Sequence, residues 1–244
     1  MARSLLFIPD ADGDSLAKAL AASADMLILD LRGPADFSGR DDRRKGLRDF
    51  IFSARQRQER PRLFVQINGL ETDQADRDLD AIMPAAPDGI VLPGSRSGAD
   101  VQHLGAKLAV HEARNGLRDG ACAIVPIVTQ TAASLFGLST YAGSSPRLEG
   151  LAWSAQDFSA ALGALSDGGS GGAYSAACQL ARTLTLVGAR AAGVEPIDTA
   201  FSAMGDNAGL RRECEAARRD GFTGKMALDP AQVSIINDVF DTQP

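Results

Sequence analysis

The sequence predicts an α/β protein built as a single (β/α)8 barrel, and three observations carry that prediction. Short apolar runs alternate with longer amphipathic segments from one end of the chain to the other. The apolar runs are continuous rather than alternating, as expected of strands buried on both faces of a parallel sheet. Eight such alternations fit into 244 residues, a length at which one barrel domain, 1–244, is ordinary. A doubly wound sheet is the competing arrangement, but the chain has neither a GxGxxG turn nor a phosphate-binding P-loop.

Each element follows from its local pattern. Strands are expected at 4–9, 26–31, 62–67, 89–92, 121–128, 148–153, 195–198 and 224–227, every one an uninterrupted β-type run. Helices are expected at 14–22, 43–58, 73–83, 100–114, 173–192 and 208–219, where apolar residues recur at helical spacing and charges fill the opposite face. Gly120, Gly193 and Gly221 stand where helix C-caps belong. The run DGGSGG at 167–172 reads as a flexible loop within the domain.

Composition narrows the function. The net charge of -6 comes from 31 acidic and 25 basic residues mixed along the chain, without the basic stripe that neutralises a phosphate backbone, so nucleic acid is not an expected partner. Cys122, Cys178 and Cys214 are far apart and lack CxxC spacing, which points to buried thiols in a reducing cytoplasm. The N-terminal apolar run is followed at once by acids and is too short for a signal or a membrane span. His103 and His111 are eight residues apart on one predicted helix, too far for a compact metal pair, and packing or surface roles are expected. Trp153 is expected to pack at its strand end, and Arg43-Arg44-Lys45 and Arg211-Arg212 to lie on solvated helix faces.

A barrel keeps its chemistry at the C-terminal ends of its strands. Those ends are Pro9-Asp10, Asp30-Leu31-Arg32, Gln66-Ile67-Asn68, Pro93 to Arg96, Thr129-Gln130-Thr131, Trp153 to Asp157, Asp198-Thr199 and Met226 to Asp229.

The blocks RSLLFIPD, ADMLILDL, VQINGL, DGIVLP, PIVTQTAA, SPRLEGLAWSAQDFSAALGA, AAGVEPIDTAF and GFTGKMALDPAQV occur in this order over nearly the whole chain. Together they resemble the citrate lyase beta-subunit-like branch of the HpcH/HpaI aldolase family. The resemblance implies a cytoplasmic homo-oligomeric barrel, trimer or hexamer, that cleaves or forms carbon-carbon bonds in acyl-CoA thioesters or 2-oxo acids with Mg2+. It also implies roles for individual residues, and here the chain departs from the pattern. The metal-binding Glu of V-E-T-A-A falls on Gln130, while the Asp of G-A-E-D-L falls on Asp157. The carboxylate-binding Arg of V-R-I-N falls on Gln66, and D-L-E-D reads Asp30-Leu31-Arg32-Gly33. The Lys and Glu of L-P-K-x-E become Gly94 and Arg96, the Glu of A-E-D-L becomes Gln156, and the His of I-H-P becomes Asp229.

The expected catalytic set is therefore Gln66, Asp30 and Arg32. Gln66, Gln130 and Arg96 are the expected substrate contacts, and Gln130 with Asp157 the expected metal pair. A glutamine carbonyl can replace a carboxylate geometrically but gives up a unit of charge, so Mg2+ is expected to bind weakly or not at all. Three readings stay open. The chain is a CoA-ester lyase with a depleted metal site, or a catalytically impaired or repurposed barrel binding a small carboxylate or CoA ester, or a site whose lost arginine is replaced from another strand by Arg32 or Arg96. Longer family members continue past Phe240 into a segment that covers a neighbouring subunit's site, and its absence is expected to leave the mouth more open to water.

Overall fold

Eight strands run parallel: β1 (Ser4–Ile8), β2 (Met26–Asp30), β3 (Arg62–Gln66), β4 (Gly89–Leu92), β5 (Ala123–Pro126), β6 (Gly150–Ala152), β7 (Glu195–Asp198) and β8 (Gly224–Ala227). This computed structural model describes residues 2–9, 13–32, 39–164 and 174–241; Asp10, Gly33 and the glycine-rich 167–172 run lie outside them. The strand order is β5-β4-β3-β2-β1-β8-β7-β6. Its two ends meet through bridges Ile124↔Leu148 and Ile127↔Ala152, and the Val128 N–H donates to the Ala152 carbonyl at 2.9 Å. The sheet thus curls into a (β/α)8 barrel.

The helices are α1 (Gly13–Ala21), α2 (Arg40–Ala54), α3 (Gln74–Ile82), α4 (Gly98–Arg114), α5 (Ala155–Ala161), α6 (Ala176–Ala192), α7 (Asn207–Asp220) and α8 (Pro230–Phe240). The expected strands all form, but the two flanking the closure are shorter than their apolar runs. Bridges rather than a full ladder join β5 to β6, so residues 121–122 and 148–149 stay outside regular strand. After β5 the chain makes a 3-10 helix, Ala132–Thr140, instead of an α-helix. Gly137 brings that segment so close to the β4 loop that a Cβ there would fall 1.9 Å from the Arg96 carbonyl oxygen. Gly193 and Gly221 cap α6 and α7 in the left-handed conformation. Gly120 does not cap a helix: α4 ends at Asn115, and Gly120 sits in a later turn where its N–H donates to Glu112 at 3.0 Å.

Alternate strand residues face two separate cores. Leu5, Met26, Ile28, Phe64, Val91, Val125, Ile127, Ala152, Ile197 and Met226 fill the barrel interior, while their neighbours pack under the helices. Removing this much apolar surface from water is the main driving force of the fold. Cys122, Cys178 and Cys214 are all buried and free, and burial pushes the Cys122 thiol up to about 12. Among the described residues no helix is long and apolar enough to cross a membrane.

Charged side chains are also buried between strands and helices beside opposite charges. Lys225 of β8, with no exposed surface, donates to Asp198 at 2.8 Å and to Glu213 at 2.6 Å. Asp198 also accepts from the Trp153 indole at 2.8 Å, so Trp153 packs fully buried at its strand end, as expected, and belongs to this network. Arg147 binds Glu112 through both guanidinium arms at 2.7 Å. Arg44, expected on a solvated face, is instead buried against Asp78 at 2.8 Å, because α2 turns that position toward α3. His111 is buried on α4, and burial lowers its pKa.

Two outcomes follow. Lys225→Met should cost about 3–5 kcal/mol in urea unfolding, because it removes the buried cation beside Glu213 and leaves Asp198 with Arg182 alone at 3.4 Å; a loss below ~1 kcal/mol would show the network to be dispensable. Burial pushes the Asp198 and Glu112 carboxyls up, but Lys225 with Arg182, and Arg147 with two backbone N–H groups, outweigh it and hold both below the usual carboxylate range. The unfolded chain then binds protons at a higher pH than the folded one. Stability is fully present above about pH 4 and should fall as pH drops through the lower folded-state values, which acid titration of the unfolding midpoint measures.

Candidate active site

The C-terminal ends of the strands surround a cavity of about 170 Å³ lined by polar groups from β2, β3, β6 and β7 and by Gln130 from the loop after β5. A cavity of ~150 Å³ accommodates a benzene-sized molecule, so this one takes a short-chain acid or one end of a larger ligand. Arg32 and Asp157 are the two ionisable side chains among the described residues that line it.

Arg32 is held from one side. The register places Asp30 opposite Gln66 at the ends of β2 and β3, both buried. Two residues beyond Asp30 the chain folds back, and its carboxylate accepts from the Arg32 backbone N–H at 2.9 Å, from Nε at 3.1 Å and from Nη2 at 3.2 Å. The amide orientation that suits its surroundings turns the Gln66 oxygen onto the same guanidinium, 2.5 Å from Nε, 2.6 Å from Nη2 and 3.0 Å from Nη1. A neutral acceptor at position 66 is what a neighbouring guanidinium requires; a second guanidinium there would repel it. Arg43 of α2 steadies this corner by donating to the Asp30 carbonyl at 2.8 Å.

Gln130 and Asp157 form the opposite wall. Gly94, at φ +64°, adopts the left-handed backbone that favours glycine and aims its N–H at the Gln130 Oε1. With its oxygen engaged, the Gln130 amide turns its Nε2 to Asp157 Oδ2 at 2.6 Å. Asp157 lies in the first turn of α5, whose N-cap Ser154 accepts from the Asp157 N–H at 3.2 Å. Two threonines fix that turn: Thr129 accepts from Ser154 N–H at 2.9 Å and Thr199 from Ala155 N–H at 3.1 Å.

The sequence-predicted residues thus divide. Asp30, Arg32, Gln66, Gln130 and Asp157 come together at the mouth, with Asp30 behind Arg32 rather than on the cavity wall. Arg96 does not reach it. It is exposed, pairs loosely with Asp100 at 3.9 Å, and lines a separate cleft with Glu71 and His103. Gln156 lines the cavity rim, whereas Asp229 is the N-cap of α8 and bonds the Ala231 N–H at 2.7 Å. Ser202 and Gln232 escaped the sequence reading. Ser202 lines the cavity, and Gln232 ties the β8 loop to the β7 loop through Leu228 N–H at 2.8 Å and the Phe201 carbonyl at 2.9 Å. A polar residue on the otherwise apolar buried face of α8 was the available signal for Gln232; Ser202 carried none.

Comparison with known proteins bears on this mouth. A (3S)-malyl-CoA thioesterase of Cereibacter sphaeroides is 30% identical over 247 residues, spanning 99% of this chain and 78% of that protein. The citrate lyase beta subunit of Leuconostoc mesenteroides subsp. cremoris is 27% identical, spanning 98% and 76%. The crystal structure of CitE from Mycobacterium tuberculosis with magnesium and acetoacetate superposes with a TM-score of 0.81 at 27% identity, covering 99% of this chain and 91% of that one. The family model described as HpcH/HpaI aldolase/citrate lyase matches residues 3–230, and the chain belongs to that family.

Proposed function

We propose that the barrel mouth binds a short carboxylate, free or as the acid end of a CoA ester, on Arg32, and that the chain is a carbon-carbon lyase of the citrate lyase beta type with weakened Mg2+ dependence. The observation that carries this reading is the Arg32 guanidinium, lining the cavity while Asp30 and Gln66 fix its plane. A planar guanidinium held in this way offers its remaining N–H groups to a carboxylate as a preformed fork. The position supports replacement of the family's β3 arginine from β2.

The facing wall does not suit a hard divalent cation. Mg2+ needs oxygen donors in near-octahedral array, yet Gln130 directs nitrogen, not oxygen, toward Asp157. Its oxygen is engaged by Gly94. Among the described residues that line the cavity, Asp157 is the one carboxylate, where Mg2+ is commonly held by one or two carboxylates with waters and substrate. In a retro-aldol cleavage a base takes the hydroxyl proton while the carbon-carbon bond opens toward the thioester, and Asp157 is the carboxylate in place for that proton. The Gln130 contact that occupies one Asp157 oxygen favours a second reading, a repurposed barrel that binds such ligands without cleaving them.

Isothermal calorimetry decides the metal question. The wild-type protein should show no saturable Mg2+ uptake below millimolar concentration, whereas Gln130→Glu, which keeps the bond from Gly94 and presents oxygen to Asp157, should gain it. Tight uptake by the wild type would falsify the weak-metal reading. Arg32→Gln should weaken binding of acetoacetate or acetyl-CoA-linked acids roughly tenfold to a hundredfold, the value of a charge-assisted contact of about 1.5–3 kcal/mol. Arg32→Lys should recover part of it; unchanged affinity in both variants removes Arg32 as the anchor. Cleavage of malyl-CoA in the presence of chelator separates lyase from binder.

A further inference from the structure

Taken with the carboxylate reading of Arg32, on which it rests, the opposite wall restricts what the rest of the ligand can be. Among the described residues, Gln130 is the one side chain that donates to the Asp157 carboxylate, and it reaches a single oxygen. The two ionisable groups lining the cavity are one cation and one anion, and the cation is already paired with Asp30 behind it. Counted over Asp30, Arg32, Asp157 and Arg43, which donates to the Asp30 carbonyl at this corner, the charged groups of the mouth cancel before any ligand enters.

A ligand carboxylate leaves one uncompensated negative charge. A divalent cation would balance it, but the donor set at Gln130 and Asp157 does not suit one. Where the ligand displaces water from Asp157, the remaining way to satisfy that carboxylate is a donor carried by the ligand itself. A 2-oxo or 3-oxo acid cannot supply it, because its carbonyl is an acceptor and would meet the Asp157 carboxylate as acceptor against acceptor. A hydroxyl can donate. An ammonium can donate and also cancel the excess charge, and hydrogen bonds to charged groups are the stronger class.

We infer that this site selects short carboxylates bearing their own hydrogen-bond donor, an ammonium best and a hydroxyl next, in preference to the oxo acids that a metal-bearing mouth would hold. The carboxylate sits on Arg32 and the donor end faces Asp157, flanked by the Gln130 amide and the hydroxyls of Thr199 and Ser202 on the lining. The guanidinium and the carboxylate act as the two poles of a zwitterion site.

The test uses three acids of the same carbon skeleton, acetoacetate, 3-hydroxybutyrate and 3-aminobutyrate, titrated calorimetrically into the full chain in chelator and again with excess Mg2+. Affinity should rise in that order, with about tenfold or more between the oxo and the amino acid, and Mg2+ should leave the order unchanged. Asp157→Asn should collapse the difference while retaining carboxylate binding, because an amide meets donors and acceptors alike. Acetoacetate binding as tightly as 3-aminobutyrate in chelator, or overtaking it with Mg2+, overturns the inference and leaves the Arg32 anchor standing. Absence of binding by all three, or affinities indifferent to Arg32→Gln, removes the anchor itself and the inference with it.

Discussion

Among the described residues, the carboxylate, guanidinium and ammonium side chains that are fully buried each sit beside an opposite charge, while half-buried Glu195 keeps one oxygen unpartnered, and that pairing constraint organises the molecule from its helical shell to its mouth. A lone ion in the interior would cost several kcal/mol, which a domain of marginal stability cannot absorb. Between strands and helices the pairs Lys225 with Asp198 and Glu213, Arg147 with Glu112, and Arg44 with Asp78 meet the constraint completely. They also cross-link elements distant in sequence, so the interlayer core has directional contacts as well as apolar ones. At the mouth Asp30 and Arg32 satisfy each other. Among the described side chains Asp157 is answered by an amide alone, and that incomplete neutralisation sets this wall of the cavity apart from the buried pairs.

The substitutions seen at the mouth are coupled rather than scattered. An arginine two residues past β2 calls for an uncharged acceptor at the end of β3, and Gln66 is one. A glutamine after β5 can bridge a backbone donor and a carboxylate because it carries both an oxygen and an NH2 group, and Gly94 and Asp157 are placed to use both. Each amide completes a local hydrogen-bond arrangement, consistent with a polar site that is maintained, since buried polar groups are stable only when partnered.

Much of the fold was legible in the sequence because double-sided burial writes itself as uninterrupted runs such as MLILD, and all eight strands form within them. What stayed hidden was decided by tertiary contact. Arg44 looks like any helix-surface cation until α2 turns it toward Asp78. The 3-10 helix after β5 depends on how closely Gly137 approaches a carbonyl from another loop. At the site, the identities of Arg32, Gln66, Gln130 and Asp157 could be read in advance, but not which end of each amide faces which neighbour. That choice depends on the Gly94 N–H for Gln130 and on the Arg32 guanidinium for Gln66, and no residue type reveals it.

Trp153, the one tryptophan of the chain, directly follows β6 at the seam where the barrel closes. It is fully buried, its indole nitrogen bonds Asp198, and its ring meets Tyr174 edge-on with centroids 5.4 Å apart. Its intrinsic fluorescence is therefore an optical probe built into the closure and its ion network. The same burial keeps the indole off the cavity wall, so emission reports opening of the seam and is insensitive to direct contact with a ligand at Arg32.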